Sequence, residues 1–486
     1  MKQAITLLIF LSAIFSTGRA GAKENNIQKY INTLKQDTLY TNAAVSIMVM
    51  DEKWRTVASW NPDMPLLTAS TMKTISTGLA LKILGPNYRF TTKIGYTGFI
   101  KDGVLNGDLY IIGGGDPTLG SRDTVAYSID SIFGIWANAV KMSGIKTING
   151  NIIGDERFFE NEIIPESWAI SNLGPTFGSG PSGLSFMENT QDFKFVHSGN
   201  EGDEVRIERI YPIVPGMLIE NKMKVAPAKS RNRSSYYTTD LARVIKFSGS
   251  LPLERDTVEF SGSNKFPGVA CAEEFRKFLI SQNIYCNSLS YDSRSYDVAS
   301  LDRINVIGHT QSPALASIIN VTNRISNNFY AETLFKTIGK TITGTGSYDS
   351  SRVAVLKLFK EMGLASRGYT QTDGSGLSRQ NYVSARFFCK YFTLMKESNT
   401  FEYFFESLAK PGGPGTLKNV LADVEPSVKS RLHAKSGSLS SVRCYAGYVE
   451  RGDGKMYTFA ILVNNFSART AQMQTGIEGF MKEMLK

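Results

Sequence analysis

Ser70 and Lys73 stand three positions apart in "TASTMKTISTGLALKILGP". On a helix that spacing puts a hydroxyl and an amine over the same face. A serine hydroxyl is a weak nucleophile until a base takes its proton. A lysine is that base only when neutral, so its pKa must fall well below the unperturbed value of about 10.4. Burial and a second nearby cation both push it down, and Lys435 is the candidate cation. Two further groupings complete a site. Ser326 is suited to relay a proton to a leaving amine, and Asn328 to hold a substrate amide. Lys435 and Ser436 are suited to a terminal carboxylate through charge-assisted hydrogen bonds. Gly437 would leave an edge strand open to a substrate backbone, and the backbone N–H groups of Ser70 and Ser438 would form an oxyanion hole.

Each grouping alone carries little weight. Ser-x-x-Lys recurs at Ser143–Lys146 and Ser407–Lys410, and Ser-x-Asn at Ser281–Asn283. Singly, Ser70 has an ordinary explanation as a helix cap, Lys73 as a surface residue, and Ser326 and Asn328 as loop polars. What distinguishes the set is order and context. Ser70-x-x-Lys73 opens an apolar helix near the start, Ser326-x-Asn328 separates two helices, and Lys435-Ser436-Gly437 ends a strand near the C-terminus.

The elements that must hold these residues are legible from periodicity. Met72, Ile75, Leu79 and Ile83 recur at helical spacing, which predicts a helix from about Ser70 to Gly85-Pro86. Before it, "AAVSIMVMD" and "RTVASWN" predict two strands; near the end, "SRLHAKSG", "VRCYAGYVE" and "YTFAILVNN" predict three more, followed by a helix. Helical periodicity also runs from about Pro313 to Leu408. Residues 87–300 instead show short alternating runs and glycine turns. The expected architecture is α+β. One antiparallel five-stranded sheet is closed by both chain ends, in parts 23–86 and 301–486, and is split by a strand-rich insertion over 87–300. "GGGDPTLG" at 113–120 lacks the ending of a phosphate loop and predicts a turn.

Composition narrows the class. The 486 residues, 42% hydrophobic and 20% charged, describe a globular chain large enough for more than one core. A net charge of +10 is dispersed except for Lys222, Lys224, Lys229, Arg231 and Arg233, a solvated basic loop or a weak attraction for an anionic wall or membrane surface. No nucleic-acid motif accompanies it, so no nucleic-acid partner is expected. His197, His309 and His433 sit in no HExxH, and Cys271, Cys286, Cys389 and Cys444 in no CxxC; no metal or cofactor is expected, and the thiols are read as free. "MKQAITLLIFLSAIFSTGRAGA", residues 1–22, has the pattern of a signal peptide. No later run reaches the roughly 18 apolar residues of a membrane span. An exported protein of the periplasm or cell-wall space, with no transmembrane span in its mature chain, is expected.

The three motifs in this order are those of β-lactamases and penicillin-binding proteins. With "NGDLYIIGGGDPTL", "INGNIIGDERFF", "SNNFYAETLFK", "TDGSGLSRQN", "GTLKN" and "AKSGSLSSVRCYAGYV", the chain resembles the D-alanyl-D-alanine carboxypeptidase/endopeptidase family. These are the low-molecular-mass class C (type-4) penicillin-binding proteins, peptidase family S13. The resemblance implies a transpeptidase-like domain split by two nested smaller domains. It implies a serine DD-peptidase that acts on peptidoglycan stem peptides through an acyl-enzyme on Ser70 and is acylated by β-lactams. It carries the nucleophile, base, Ser-x-Asn pair and Lys-Thr-Gly strand onto Ser70, Lys73, Ser326, Asn328 and Lys435-Ser436-Gly437, with serine for threonine at 436. It also places Arg379 near the substrate.

One departure stands out. Relatives carry an aspartate downstream of a tryptophan that receives a substrate amino group; here Trp168 is followed by Asn172, and charge pairing is lost. Two rivals remain: a serine β-lactamase, which needs a carboxylate to activate the deacylating water, and a wall-binding or β-lactam-sensing protein without turnover.

Overall fold

The structure, a computed structural model, describes residues 25–197 and 199–486; the expected signal segment lies outside the described residues. The two chain ends build one sheet. Helix α1 (Asn26–Gln36) leads into β1 (Ala44–Met50) and β2 (Thr56–Trp60), and the last part of the chain supplies β3 (Leu432–Leu439), β4 (Val442–Glu450) and β5 (Met456–Asn464). All pairings are antiparallel and the order is β2-β1-β5-β4-β3, the expected five-stranded sheet of an α+β fold.

Both faces of this sheet are covered, and strand alternation divides the side chains between them. Along β5, Phe459, Ile461 and Val463 join a core with Ile27 and Ile31 of α1 and with Met473 and Phe480 of the last helix (Thr470–Leu485). Ala460 and Leu462 face the other way, into a core with Ile75 and Leu79 of α2 (Lys73–Leu84), Ile318 of α3 (Leu315–Arg324), Leu334 of α4 (Asn328–Thr343) and Phe388 of α5 (Ala385–Lys396). Helix α2 is buried on all sides from Lys73 to Leu81. It begins later than expected. Ala69–Met72 form a tight 3-10 turn in which Thr71 N–H and Oγ1 both donate to Thr68 O, so the α-helix proper starts at Lys73.

The intervening segment has its own cores. A mixed five-stranded sheet runs in the order Ser290–Asp292, Ile152–Asp155, Leu109–Ile112, Thr91–Tyr96, Asn305–Gln311. Two three-stranded sheets spanning 190–263 enclose Phe193, Phe195 and Phe247. We place the return crossing near Ser312, beyond the expected 300, because Asn305–Gln311 still pairs with Thr91–Tyr96 and Ser312 Oγ accepts from Phe90 N–H at 2.9 Å.

Lys222 and Lys224 belong to a strand, not to a loop, and pair with Glu220 and Glu204. All four cysteines are free. Among the described residues no helix is long and apolar enough to cross a membrane.

Candidate active site

Ser70 sits in the 3-10 turn that delivers α2, directly after Ala69, whose φ of +44° is left-handed. Non-glycine residues occupy that region at a cost and persist there when their surroundings over-determine them. Two glycines make those surroundings. A Cβ at Gly376 would lie 1.8 Å from Ala69 O, and one at Gly437 would lie 2.5 Å from Thr68 O and 3.0 Å from Ser70 N. Gly437 is therefore required by the approach of β3 to the serine turn of its own chain. This constraint stands beside the one expected from the sequence, room for a substrate backbone at the edge strand.

Lys73 is fully buried. Its Nζ lies 2.9 Å from Ser70 Oγ, 2.6 Å from Asn328 Oδ1 and 2.8 Å from Ser375 O. Burial pushes its pKa down to about 7, against the pull of Glu332 and Asp373. Of the two causes the sequence suggests, burial and the cation Lys435, burial dominates. The cationic neighbour is felt in the other direction: Lys435, also fully buried, is held well below the usual lysine range by desolvation, then by Lys73 and Arg443.

The Ser326–Asn328 turn spends three successive side chains in three directions. Ser326, left-handed at φ +66°, accepts from Lys435 Nζ at 2.9 Å. Asn327 caps α4, its Oδ1 accepting from Tyr330 N–H at 3.0 Å, and its Nδ2 donates to Glu188 at 2.9 Å. Asn328 takes Lys73 on its oxygen and donates Nδ2 to Phe177 O at 2.9 Å, which fixes the orientation of the amide.

On β3, Lys435 Nζ also donates to Ser436 O at 2.8 Å, and Ser436 Oγ lies 2.9 Å from Thr416 Oγ1. Ser438 Oγ accepts from Arg443 at 2.6 Å. Arg379 is exposed and donates to Ser440 O at 3.1 Å, beyond the end of β3. Ser70, Lys73, Ser326, Asn328, Lys435 and Gly437 thus meet, with Ser436 and Ser438 on the adjoining strand.

Trp168 is placed differently. It is 5% exposed and gives its indole N–H to Asp373 at 2.9 Å, so its polar edge is spent inside the protein and not presented to a substrate. Asn172 ends a short 3-10 turn in the segment that carries Phe177, and is partly exposed.

Three buried or polar groups escaped the sequence reading. Glu332, one turn beyond Asn328, accepts from Gly374 N–H and Ser375 N–H at 2.8 Å each; burial and Asp373 push its pKa up. Asp373 accepts from Gly376 N–H, Ser378 N–H, Asn381 Nδ2 and Trp168. Thr416 reaches Ser436 from a loop. All three lie in phrases that carry the family resemblance, Glu332 in "SNNFYAETLFK", Asp373 in "TDGSGLSRQN" and Thr416 in "GTLKN", and Glu332 also stands at i,i+4 from Asn328 on a helix.

Comparison with known proteins bears on the family and the fold. A family model described as the D-Ala-D-Ala carboxypeptidase 3 (S13) family matches residues 26–484. A D-alanyl-D-alanine carboxypeptidase of Actinomadura sp. (strain R39) is 25% identical over 467 residues, 92% of this chain and 82% of the relative. The D-alanyl-D-alanine carboxypeptidase DacB of Haemophilus influenzae is 22% identical over 424 residues, 86% of this chain and 85% of the relative. The crystal structure of penicillin binding protein 4 from Haemophilus influenzae superposes with a TM-score of 0.81 at 20% identity, covering 94% of this chain and 99% of that one. A second structure of that protein, complexed with a β-lactam, gives a TM-score of 0.74 at 19% identity over 94% of this chain and 99% of that one.

Proposed function

The chain belongs to the D-Ala-D-Ala carboxypeptidase 3 (S13) family and is a serine-type hydrolase; from that premise we propose that it cleaves D-alanyl-D-alanine termini or D-amino cross-links of peptidoglycan through an acyl-enzyme on Ser70. The observation that carries the mechanism is the set of acceptors around Lys73. A neutral amine has two N–H donors and one lone pair. Asn328 Oδ1 and Ser375 O are acceptors only, because the Asn328 Nδ2 is committed to Phe177 O. They take both donors, and the lone pair is left for Ser70 Oγ at 2.9 Å. Neutral Lys73 is thereby oriented to accept the serine proton.

Ser70 Oγ attacks the carbonyl carbon of the penultimate D-alanine as Lys73 Nζ takes its proton. The oxyanion is met by the backbone N–H groups of Ser70 and Ser438. The C–N bond then breaks, and the leaving amine takes the proton that Lys73 received, passed on through Ser326 Oγ, which Lys435 Nζ contacts at 2.9 Å. Lys73, neutral again, takes a proton from the water that attacks the ester and returns it to Ser70 Oγ as the acid leaves. Lys435 and Ser436 hold the terminal carboxylate, with Thr416 fixing the Ser436 hydroxyl at 2.9 Å. Arg379, at the open end of β3, adds a further cation for that carboxylate. A β-lactam entering as a mimic of the terminus acylates the same serine.

The β-lactamase alternative is disfavoured by where the nearby carboxylates point. Glu332 spends both oxygens on Gly374 and Ser375, and Asp373 spends both on four donors, so neither presents a free oxygen to a deacylating water. The sensor alternative has no use for two buried lysines, Lys73 set against Ser70 and Lys435 against Ser326, an arrangement costly to bury. We place the protein outside the cytoplasm, where this substrate lies. The test is D-alanine release from a D-Ala-D-Ala pentapeptide: wild type releases it, and Ser70→Ala does not. Release by Ser70→Ala at the wild-type rate contradicts the proposal.

A further inference from the structure

The catalytic turn is held from the intervening segment at two points, and only one touches a reacting group. Phe177 O fixes the amide of Asn328. The second contact is made by Glu188, whose carboxylate accepts from Asn327 Nδ2 at 2.9 Å and from Ser121 Oγ at 2.6 Å. Ser121 Oγ in turn accepts from the hydroxyl of buried Tyr330, on the first turn of α4, at 3.0 Å. Among the described residues no cation pairs with Glu188; its partners are two neutral donors, one on the segment and one in the turn.

The backbone that presents this carboxylate is unusual. Met187, Glu188 and Asn189 are consecutively left-handed, at φ +54°, +54° and +51°. Such runs are unfavourable for L-residues and mark places where surrounding contacts impose the conformation. Here Asn189 imposes it. Its Oδ1 accepts from Phe186 N–H at 2.9 Å, its Nδ2 donates to Gly180 O at 2.8 Å, and its own carbonyl accepts from Asn264 N–H at 2.7 Å. The segment therefore holds a strained turn whose outward product is one carboxylate aimed at Asn327.

We propose that Glu188 is a positioning residue for acylation. It fixes Asn327 and so sets the left-handed Ser326 hydroxyl against Lys435 and the Asn328 oxygen against Lys73. The intervening segment is then part of the catalytic apparatus and not only a device for substrate selection. Asn327 faces both Tyr330 N–H and Glu188, and its oxygen is used by the helix cap, so the contact with Glu188 depends on asparagine donating and glutamate accepting.

That direction of donation can be reversed. Asn327→Asp keeps the helix cap, since aspartate is a strong N-cap, but sets a carboxylate against Glu188. Adding Glu188→Gln restores the contact with donor and acceptor exchanged, still accepts from Ser121, and returns the net charge to that of wild type. The inference rests on the proposed acyl-enzyme, so the assay is the acylation rate of the full chain by a fluorescent penicillin, with thermal melting of every variant. Asn327→Asp is expected to slow acylation about tenfold or more, as misplacement of reacting groups does, and the double variant to return to within about threefold of wild type. Wild-type rates in Asn327→Asp, or no recovery in the double variant, overturn the role of Glu188. If Asn327→Asp does not fold, Glu188→Gln alone is the test: it loses one of two acceptors, and a wild-type rate overturns the proposal. Absence of acylation in the wild type itself would instead contradict the assignment of Ser70.

Discussion

Lys73 Nζ lies 2.6 Å from Asn328 Oδ1, and the other end of the same amide is tied to Phe177 O at 2.9 Å. A neutral oxygen at that point accepts from Lys73 without adding negative charge, so the amine stays easy to deprotonate. The pKa of Lys73, pushed down to about 7 by burial, fixes the sign of the pH dependence. The base must be neutral, and the neutral fraction grows with pH. The acylation rate is expected to rise through pH 7 and level above it, whereas an ordinary lysine would keep it climbing toward about 10.4. In Asn328→Asp an anion faces Lys73 and favours its charged form, raising the pKa by about 1–3 units. The neutral fraction at pH 7, and acylation with it, should then fall by about 5- to 500-fold, with the midpoint of the profile moved upward. Stopped-flow acylation across pH 5–10 checks both; an unmoved midpoint in Asn328→Asp contradicts the account.

Gly437→Ala tests the close approach of β3 to the serine turn. The new methyl would sit 2.5 Å from Thr68 O and 3.0 Å from Ser70 N, both backbone atoms. Overpacking of that kind costs about 1–3 kcal/mol, and the turn that moves is the one that carries the nucleophile. Acylation is expected to slow at least about tenfold with a lowered Tm. Wild-type acylation with a normal Tm would show that the strand and the turn are not in the contact described.

Asn172→Asp tests substrate selection. Asn172 is partly exposed in the segment whose Phe177 carbonyl reaches the site. A carboxylate there should lower KM for stem peptides with a free side-chain amine, by up to about 5-fold for a partly exposed ion pair. It should leave kcat, and KM for amine-free peptides, unchanged. Equal effects on both kinds of peptide would remove Asn172 from the selection of substrate.

The sequence carried the reacting groups further than the groups that hold them. Ser70 and Lys73 are brought together by their three-residue spacing, whereas Lys435 was legible only through the order of the motifs along the chain. Which strands share the sheet was equally legible, because strands buried on both faces read as apolar runs such as those of β1 and β5, but their order was not. What holds the amine was not legible either. Ser375 O, which takes the amine, and Phe177 O and the Glu188 carboxylate, which fix Asn328 and Asn327 beside it, come from far away along the chain, and backbone carbonyls have no sequence signature at all. Gly437 shows the same limit: the requirement for glycine was visible, but the atoms that impose it, Thr68 O and Ser70 N, were known only once the turn and the strand met. Trp168 was named from the sequence as the tryptophan upstream of Asn172 with no partner assigned; its partner Asp373 lies 205 positions away.

The most direct test of the central claim is the intact mass of the mature protein after incubation with penicillin, followed over hours beside Ser70→Ala. The account predicts a stable adduct of one penicillin on the wild type and none on the variant. An adduct on Ser70→Ala, or a wild type that stays unmodified while releasing D-alanine from a pentapeptide, would contradict an acyl-enzyme on Ser70.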